Sequence, residues 1–329
     1  MTQRAALFAA MSSFVLVAGC AGAPKPSYLH VPQSARGHIA STDVVLPIKQ
    51  NEIYIFVPST AGAASAAGAS FGLLGALVAA TVSSGIDAAN AHAAETAIKP
   101  VRDSIVDYNF DSVLQEDLKT ALSREAWLNA GEASVVKEVT NDKLESILTG
   151  SKSSAVLLVT ADYQLSKDAD LVTVSVTPCL FPISPELKSL LPADAPKGGL
   201  ATRPEKSLYC NTLAYRDAIA GAGTDLDANL ALWAANNGGA MRAALKNSST
   251  RLSQMLVTEL EAAPGPDVDL AKSGMEKVTV DFGPGYVTGS DEQGSFLRFA
   301  TGREMYVTKV ALAKAVAPAP HKQSAVERA

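Results

Sequence analysis

An α+β domain, with a mainly antiparallel sheet and long helices packed on it, is the fold class this sequence predicts. The candidate elements run in the order strand, two helices, several consecutive strands, long helix, strands, without the regular crossover helices of a parallel sheet. Val172, Val174 and Val176 alternate with threonine and serine, the two-residue period of a strand with one covered face. Leu114, Leu118 and Leu122 instead recur four residues apart, which draws an apolar stripe down a helix. The 329 residues are 47% hydrophobic and 19% charged, a composition that excludes a wholly disordered chain.

Residues 43–57, DVVLPIKQNEIYIFV, read as extended structure rich in β-branched and aromatic side chains. Pro47 has no N–H to give a neighbour, so the first half is expected at an edge or as an interrupted strand. An alanine- and glycine-rich run over 61–86 predicts a helix that continues to about Asp107. There Ile98, Val101, Ile105 and Tyr108 recur at helical spacing, and Pro100 marks a kink. In the next helix, NFDSVLQEDLKTALSREAWL, Asp111 is placed to cap the N-terminus. After Gly131 the period becomes that of strands, in ASVVKEV, SAVLLVTADYQLS, DLVTVSVTP and SLYCNTLAYRD, with Ser166–Ala169 as a hairpin turn. A long helix follows from about Asp227 to Glu261. It is expected to bend near Gly238-Gly239 and to face the core with Met241, Leu245, Leu252, Met255 and Leu256. EKVTVDF, SFLRFA and EMYVTKVAL read as shorter strands, and the Ala/Pro-rich end as a disordered tail over 312–329.

Lys and Arg number 28 against 33 Asp and Glu, for a net charge of −5, and they form no basic block. Phosphate neutralisation needs clustered cations, so nucleic acid is excluded as a partner. The N-terminus is more specific. MTQRAALFAAMSSFVLVAGC has Arg4, an apolar stretch from Ala5 to Ala18, and then Val17-Ala18-Gly19-Cys20, the three-part form of a secretory signal peptide. Those last four residues resemble the lipobox of bacterial, Gram-negative lipoproteins. The resemblance implies removal of residues 1–19 as a signal peptide, lipidation of the Cys20 thiol and acylation of the new amine, with fatty-acyl chains such as palmitate. Two or three chains give stable membrane anchoring where one is marginal. Ala21 stands where aspartate retains many such lipoproteins at the inner membrane, which by the same resemblance implies the periplasmic face of the outer membrane. Residues 20–41, with Pro24, Pro26, Pro32 and Gly37, then read as a lipid-anchored tether, and 42–311 as a single periplasmic domain. The resemblance covers only the N-terminal residues and implies nothing about the fold behind them.

Two cysteines are left, Cys179 and Cys210, each near one end of a strand-like run. An oxidising periplasm permits a disulfide between them; two buried free thiols are the alternative.

Gly68-Ala69-Ser70-Phe71-Gly72 matches the G-x-S-x-G pattern of a serine hydrolase's nucleophile turn. That turn needs a strand directly ahead of it and an acid and a histidine behind. Small, helix-tolerant residues stand ahead, while His92 falls on the same helix and His321 in the tail, so Ser70 lacks a base. Gly283-Pro284-Gly285 with Gly289 misses the spacing of a phosphate loop and reads as a turn between strands. Asp107, Asn109 and Asp111 open like a calcium loop, but Ser112 and Leu118 stand where Gly and the bidentate Glu belong. His30, His38, His92 and His321 include no pair at metal-ligand spacing. No metal, cofactor or catalytic residue is expected.

On a helical wheel Gly68, Gly72, Gly75, Ala79 and Ser83 lie along one side of the 61–86 run. Gly68-x-x-x-Gly72 lets a second helix backbone approach closely. The run is one helix packed in the domain, or one that self-associates or touches the bilayer; a simple span would put Cys179 and Cys210 across the membrane from Cys20.

These readings describe a non-enzymatic, membrane-anchored envelope lipoprotein with an assembly, transport-accessory or partner-binding role. Its expected partners are the membrane, through lipid, and an envelope protein or a second copy. An oligomeric, membrane-contacting protein using helix 61–86 is the alternative, and an envelope serine hydrolase a further one. In fold order only, the chain bears a looser likeness to periplasmic accessory domains of curli-secretion or Tol-type proteins.

Overall fold

The computed structural model describes residues 30–56, 92–193, 195, 200–262, 270–280 and 283–316. Cys20 and its lipobox, Ser70, His321 and the face made by Gly68, Gly72, Gly75, Ala79 and Ser83 lie outside the described residues.

The folded part begins earlier than the tether reading expects. Val31, Ala35 and Ile39 are buried around helix α1 (Gln33–Arg36). Their four-residue spacing is a helical stripe that the neighbouring Pro32 and Gly37 obscure. Strand β1 (Thr42–Pro47) lies between two others rather than at an edge. Pro47, opposite Val136 at the end of the strand, is tolerated because pairing with β4 has already ended at Val45, while the next bond to β3 comes from the Ile48 N–H, which donates to the Val136 carbonyl at 3.0 Å. β2 (Tyr54–Ile55) is a two-residue strand. Residues 92–97 are helical, and α2 (Lys99–Ser104) follows. Pro100 sits in the first turn of α2, where a missing N–H goes unused, and the helical run is interrupted just ahead of it, at Ile98, where the kink is expected. α3 (Phe110–Leu122) buries the predicted leucine stripe. Its cap is Asn109, whose side chain accepts from the Ser112 N–H at 3.1 Å, while Asp111 pairs with Lys137.

β3 (Ala130–Val136) leads to a helix that the strand reading passes over, α4 (Asn141–Gly150). Thr140 caps it and Leu144 and Leu148 are its buried pair. β4 (Ala155–Leu165) and β5 (Leu171–Pro182) form a long hairpin, turned at Ser166–Ala169 as the sequence predicts, with Ala169 at φ 51°. β6 (Tyr209–Cys210) and β7 (Leu213–Ala218) come next. The long helix α5 (Leu226–Glu261) is capped by Asp225, which accepts from the Ala228 N–H at 2.8 Å. β8 (Lys277–Val280), β9 (Gly283–Ser290), β10 (Gly294–Phe299) and β11 (Glu304–Thr308) complete the strands. Gly283-Pro284-Gly285 opens β9 rather than filling a turn. Helix α6 (Lys309–Val316) takes the end of EMYVTKVAL and the start of the expected tail.

All the strands join one sheet, ordered β3-β1-β4-β5-β7-β11-β10-β9-β8, with β2 beside β4 and β6 beside β5. It is mostly antiparallel. β1 runs parallel to β3 and β4, as do β2 to β4 and β7 to β11. Strand alternation sorts the two faces. Leu157 and Val159 of β4, Val174 of β5, Tyr215 of β7 and Tyr306 of β11 belong to the large core shared with α1, α2, α3 and α5. Val156 and Leu158 turn the other way, toward Leu148 of α4. Ala214, Met305 and Val307 do the same toward Ala311 of α6.

α5 breaks where the glycine pair predicts. Asn236, Asn237 and Gly238 have φ of 53°, 58° and 68°, a left-handed stretch that asparagine and glycine enter most readily. A Cβ on Gly238 would lie 2.5 Å from Ile105 Cγ2, so α2 and α5 meet through a position only glycine fits.

Candidate functional site

Cys179 and Cys210 face each other across the antiparallel β5/β6 pair, with Cα atoms 4.1 Å apart, and form a disulfide. The bridge closes the Pro- and Leu-rich excursion between the two strands. It also fixes the next residue. The backbone N–H of Asn211 donates to the Pro178 carbonyl at 3.3 Å, and its Nδ2 donates to Glu259 Oε2 at 3.2 Å.

Glu259 is 2% exposed and lies one turn beyond Met255 and Leu256, on the buried side of α5. Its Oε1 accepts from Arg298 Nη2 at 3.0 Å. The same nitrogen also donates to Glu304 Oε1, which accepts from Arg298 Nε at 2.7 Å as well. Two carboxylates from α5 and β11 thus converge on one guanidinium nitrogen from β10. Burial pushes the Glu304 carboxyl up to about 7, and the Glu259 charge adds to the rise against the pull of Arg298. Burial likewise draws down the pKa of Arg303, the preceding residue.

The other side of the same helical turn is held from α1. Arg36 Nη2 donates to the carbonyls of Leu260 and Glu261, both at 2.9 Å, and of Ala262 at 3.4 Å. A cation suits the carbonyl end of a helix, where unpaired acceptors carry partial negative charge. The guanidinium lies 5.1 Å from the Trp127 ring centre, and Trp127 Nε1 donates to Glu125 Oε2 at 2.9 Å. Glu125 is 5% exposed. Burial raises its carboxyl pKa, the Trp127 hydrogen bond opposes that, and Glu261 adds to the rise.

A second polar cluster lies farther along the sheet. Tyr306 donates its hydroxyl to Asp291 Oδ1 at 2.6 Å, Arg251 pairs with Asp291 Oδ2 at 2.8 Å, and the Arg251 guanidinium sits 4.2 Å over the Tyr306 ring. The Tyr306 hydrogen bond holds the Asp291 carboxyl down at about 2. On the opposite face of the sheet, Tyr54 donates to Asp162 Oδ1 at 2.9 Å, and burial raises both pKa values. His92, the one described histidine of the hydrolase reading, lines an open cleft of about 430 Å³ with Glu52, Glu95, Lys99, Arg102 and Asp103. Arg102 pairs there with Glu95 at 2.5 Å and Glu52 at 3.2 Å.

Of the residues singled out from sequence, the structure brings together Cys179 and Cys210. Asn211, Glu259, Arg298 and Glu304 were passed over. Glu259 alone carried a signal, since it continues the Leu252, Met255, Leu256 stripe. Among the described residues no group of three His, Cys, Asp or Glu is placed to hold a metal, and no helix is long and apolar enough to cross a membrane. Compared with protein-family models and with curated proteins, the chain matches none. The arrangement around Glu304 and Glu259 is suited to holding a proton on Glu304 and to tying neighbouring chain segments to one helix end.

Proposed function

We propose that the protein is a lipid-anchored, non-enzymatic component of the cell envelope, held at the periplasmic face of the outer membrane, that binds an envelope partner in assembly or transport. The observation that carries this reading is Val17-Ala18-Gly19-Cys20 at the end of an apolar stretch. The bridged Cys179–Cys210 pair supports it, because disulfides persist in oxidising compartments. A second reading, an oligomer that meets the bilayer through 61–86, is favoured by the Gly68-x-x-x-Gly72 spacing.

The test is metabolic labelling with a palmitate analogue, paired with membrane fractionation of wild type and Cys20→Ser. The reading expects label on the wild type alone and release of the variant from the membrane. An unlabelled wild type, or a variant that stays in the membrane, overturns lipid as the anchor. Crosslinking in whole cells then separates the two partner readings: a second copy supports the oligomer, a different envelope protein the first.

A further inference from the structure

Two observations point to the last turn of α5. Glu259 and Glu304 share Arg298 Nη2 in a place where Glu259 is 3% and Glu304 14% exposed at the side chain. Arg36, next to Ala35 in the buried Val31, Ala35, Ile39 stripe, holds the carbonyls of the same turn. Two carboxylates that converge on one guanidinium nitrogen in a buried site repel each other, which favours a proton on the one whose pKa burial raises, Glu304. The carbonyl end of a helix adds negative potential and favours the protonated form further.

We propose that the C-terminal turn of α5 is a proton-operated latch, in which a proton held by Glu304, beside Glu259 on the shared Arg298 nitrogen, keeps β10, β11 and α1 fastened to the helix end. Arg298 faces the pair from β10, Asn211 from the β6–β7 connection, and Arg303 flanks it in the β10–β11 turn. From the other side Arg36 of α1 and Glu125 meet the turn, with Glu261 on α5 itself. Loss of the proton leaves two buried carboxylates against one shared guanidinium nitrogen. The turn and the α1 segment gripping it then loosen. Nothing in this requires the lipid.

The sign follows from the direction of the Glu304 shift, upward to about 7. A carboxyl that holds its proton more tightly folded than unfolded contributes stability that is complete below the unfolded pKa of about 4.3 and is lost as pH rises through the folded value. The folding equilibrium constant therefore falls by up to about tenfold per pH unit between pH 5 and 7 from this group, then levels. Glu304→Gln imitates the protonated state. It should match wild type at pH 5, exceed it at pH 8, and flatten the decline.

The readout specific to the latch is hydrogen exchange of the full chain at pH 6 and pH 8, corrected for intrinsic rates. Wild type should lose protection at least about tenfold in α1 and the last turn of α5 at pH 8, and Glu304→Gln should not. Equal protection at both pH values, or the same loss in the variant, overturns the proposal. Should the variant fail to fold, carboxyl-carbon NMR of wild type labelled at glutamate decides. One carboxyl titrating near pH 7 supports the latch, and every glutamate titrating below about pH 5.5 overturns it.

Discussion

Asn211, the residue after the bridged Cys210, donates its side-chain amide to Glu259 across 3.2 Å, so the disulfide and the end of the long helix are one bond apart from each other's support. The bridge joins residues 31 positions apart. Cys179→Ala with Cys210→Ala should cost about 2–4 kcal/mol in denaturant unfolding, because the unfolded chain regains the freedom of that loop. Asn211→Ala leaves Glu259 short of a donor and should cost about 1–3 kcal/mol with the bridge intact.

Arg36→Ala removes a cation from three carbonyls of the α5 terminus and from the face of Trp127. A loss of about 1–2 kcal/mol is expected, read as a lower melting temperature. Arg36→Lys should recover only part of it, since an ammonium lacks the planar fork and stacks less well on the indole.

Gly238→Ala places a methyl 2.5 Å from Ile105 Cγ2 at a φ of +68°. Overpacking and backbone strain together should cost about 2–4 kcal/mol. At the neighbouring Asn237, φ 58°, substitution by valine should cost about 1–2 kcal/mol and by glycine almost nothing. Chemical denaturation of the three variants distinguishes backbone strain from lost contacts.

Asp291 sets the acid limit. Its carboxyl accepts from the Tyr306 hydroxyl and the N–H groups of Gln293 and Gly294, and its pKa is lowered from 3.8 to about 2. A depressed folded pKa means stability that is present above the unfolded value and lost as pH falls through the folded one. Unfolding midpoints should therefore drop from pH 4 to pH 2 in wild type, and Asp291→Asn should lose that part of the slope. At neutral pH the variant should be weaker by about 1 kcal/mol, a modest figure because the group is partly solvated.

Much of the fold was legible because periodicity reports local structure. The valine alternation of β5, the leucine stripe of α3 and the break at Gly238-Gly239 each state their own geometry. Tertiary placement was less so. Pro47 argues for an edge when only its own residue is considered, yet β1 is central because its pairing with β4 stops at Val45, before the proline. α4 was hidden by its shortness, although Thr140 as cap and Leu144 with Leu148 one turn apart spell it out. The charged cluster was illegible for a different reason. Glu259, Arg298 and Glu304 come from three elements, and a glutamate in a helix reads as solvent-facing until the sheet beside it is known.

The molecule has two poles, set by its longest hairpin. Arg36 and the end of α5 mark one, beside the strand ends where Ser154 donates to the Ser41 carbonyl. The other is marked by Phe56, whose N–H donates to the Leu165 carbonyl, and by the cleft where His92 meets Glu52. The eleven residues of β4 separate them, a span of ~36 Å. Phe56 and His92, the described residues on either side of 57–91, both lie at the second pole. Arg36, close to the first described residue, lies at the opposite pole, on the last turn of α5, which gives the domain a direction.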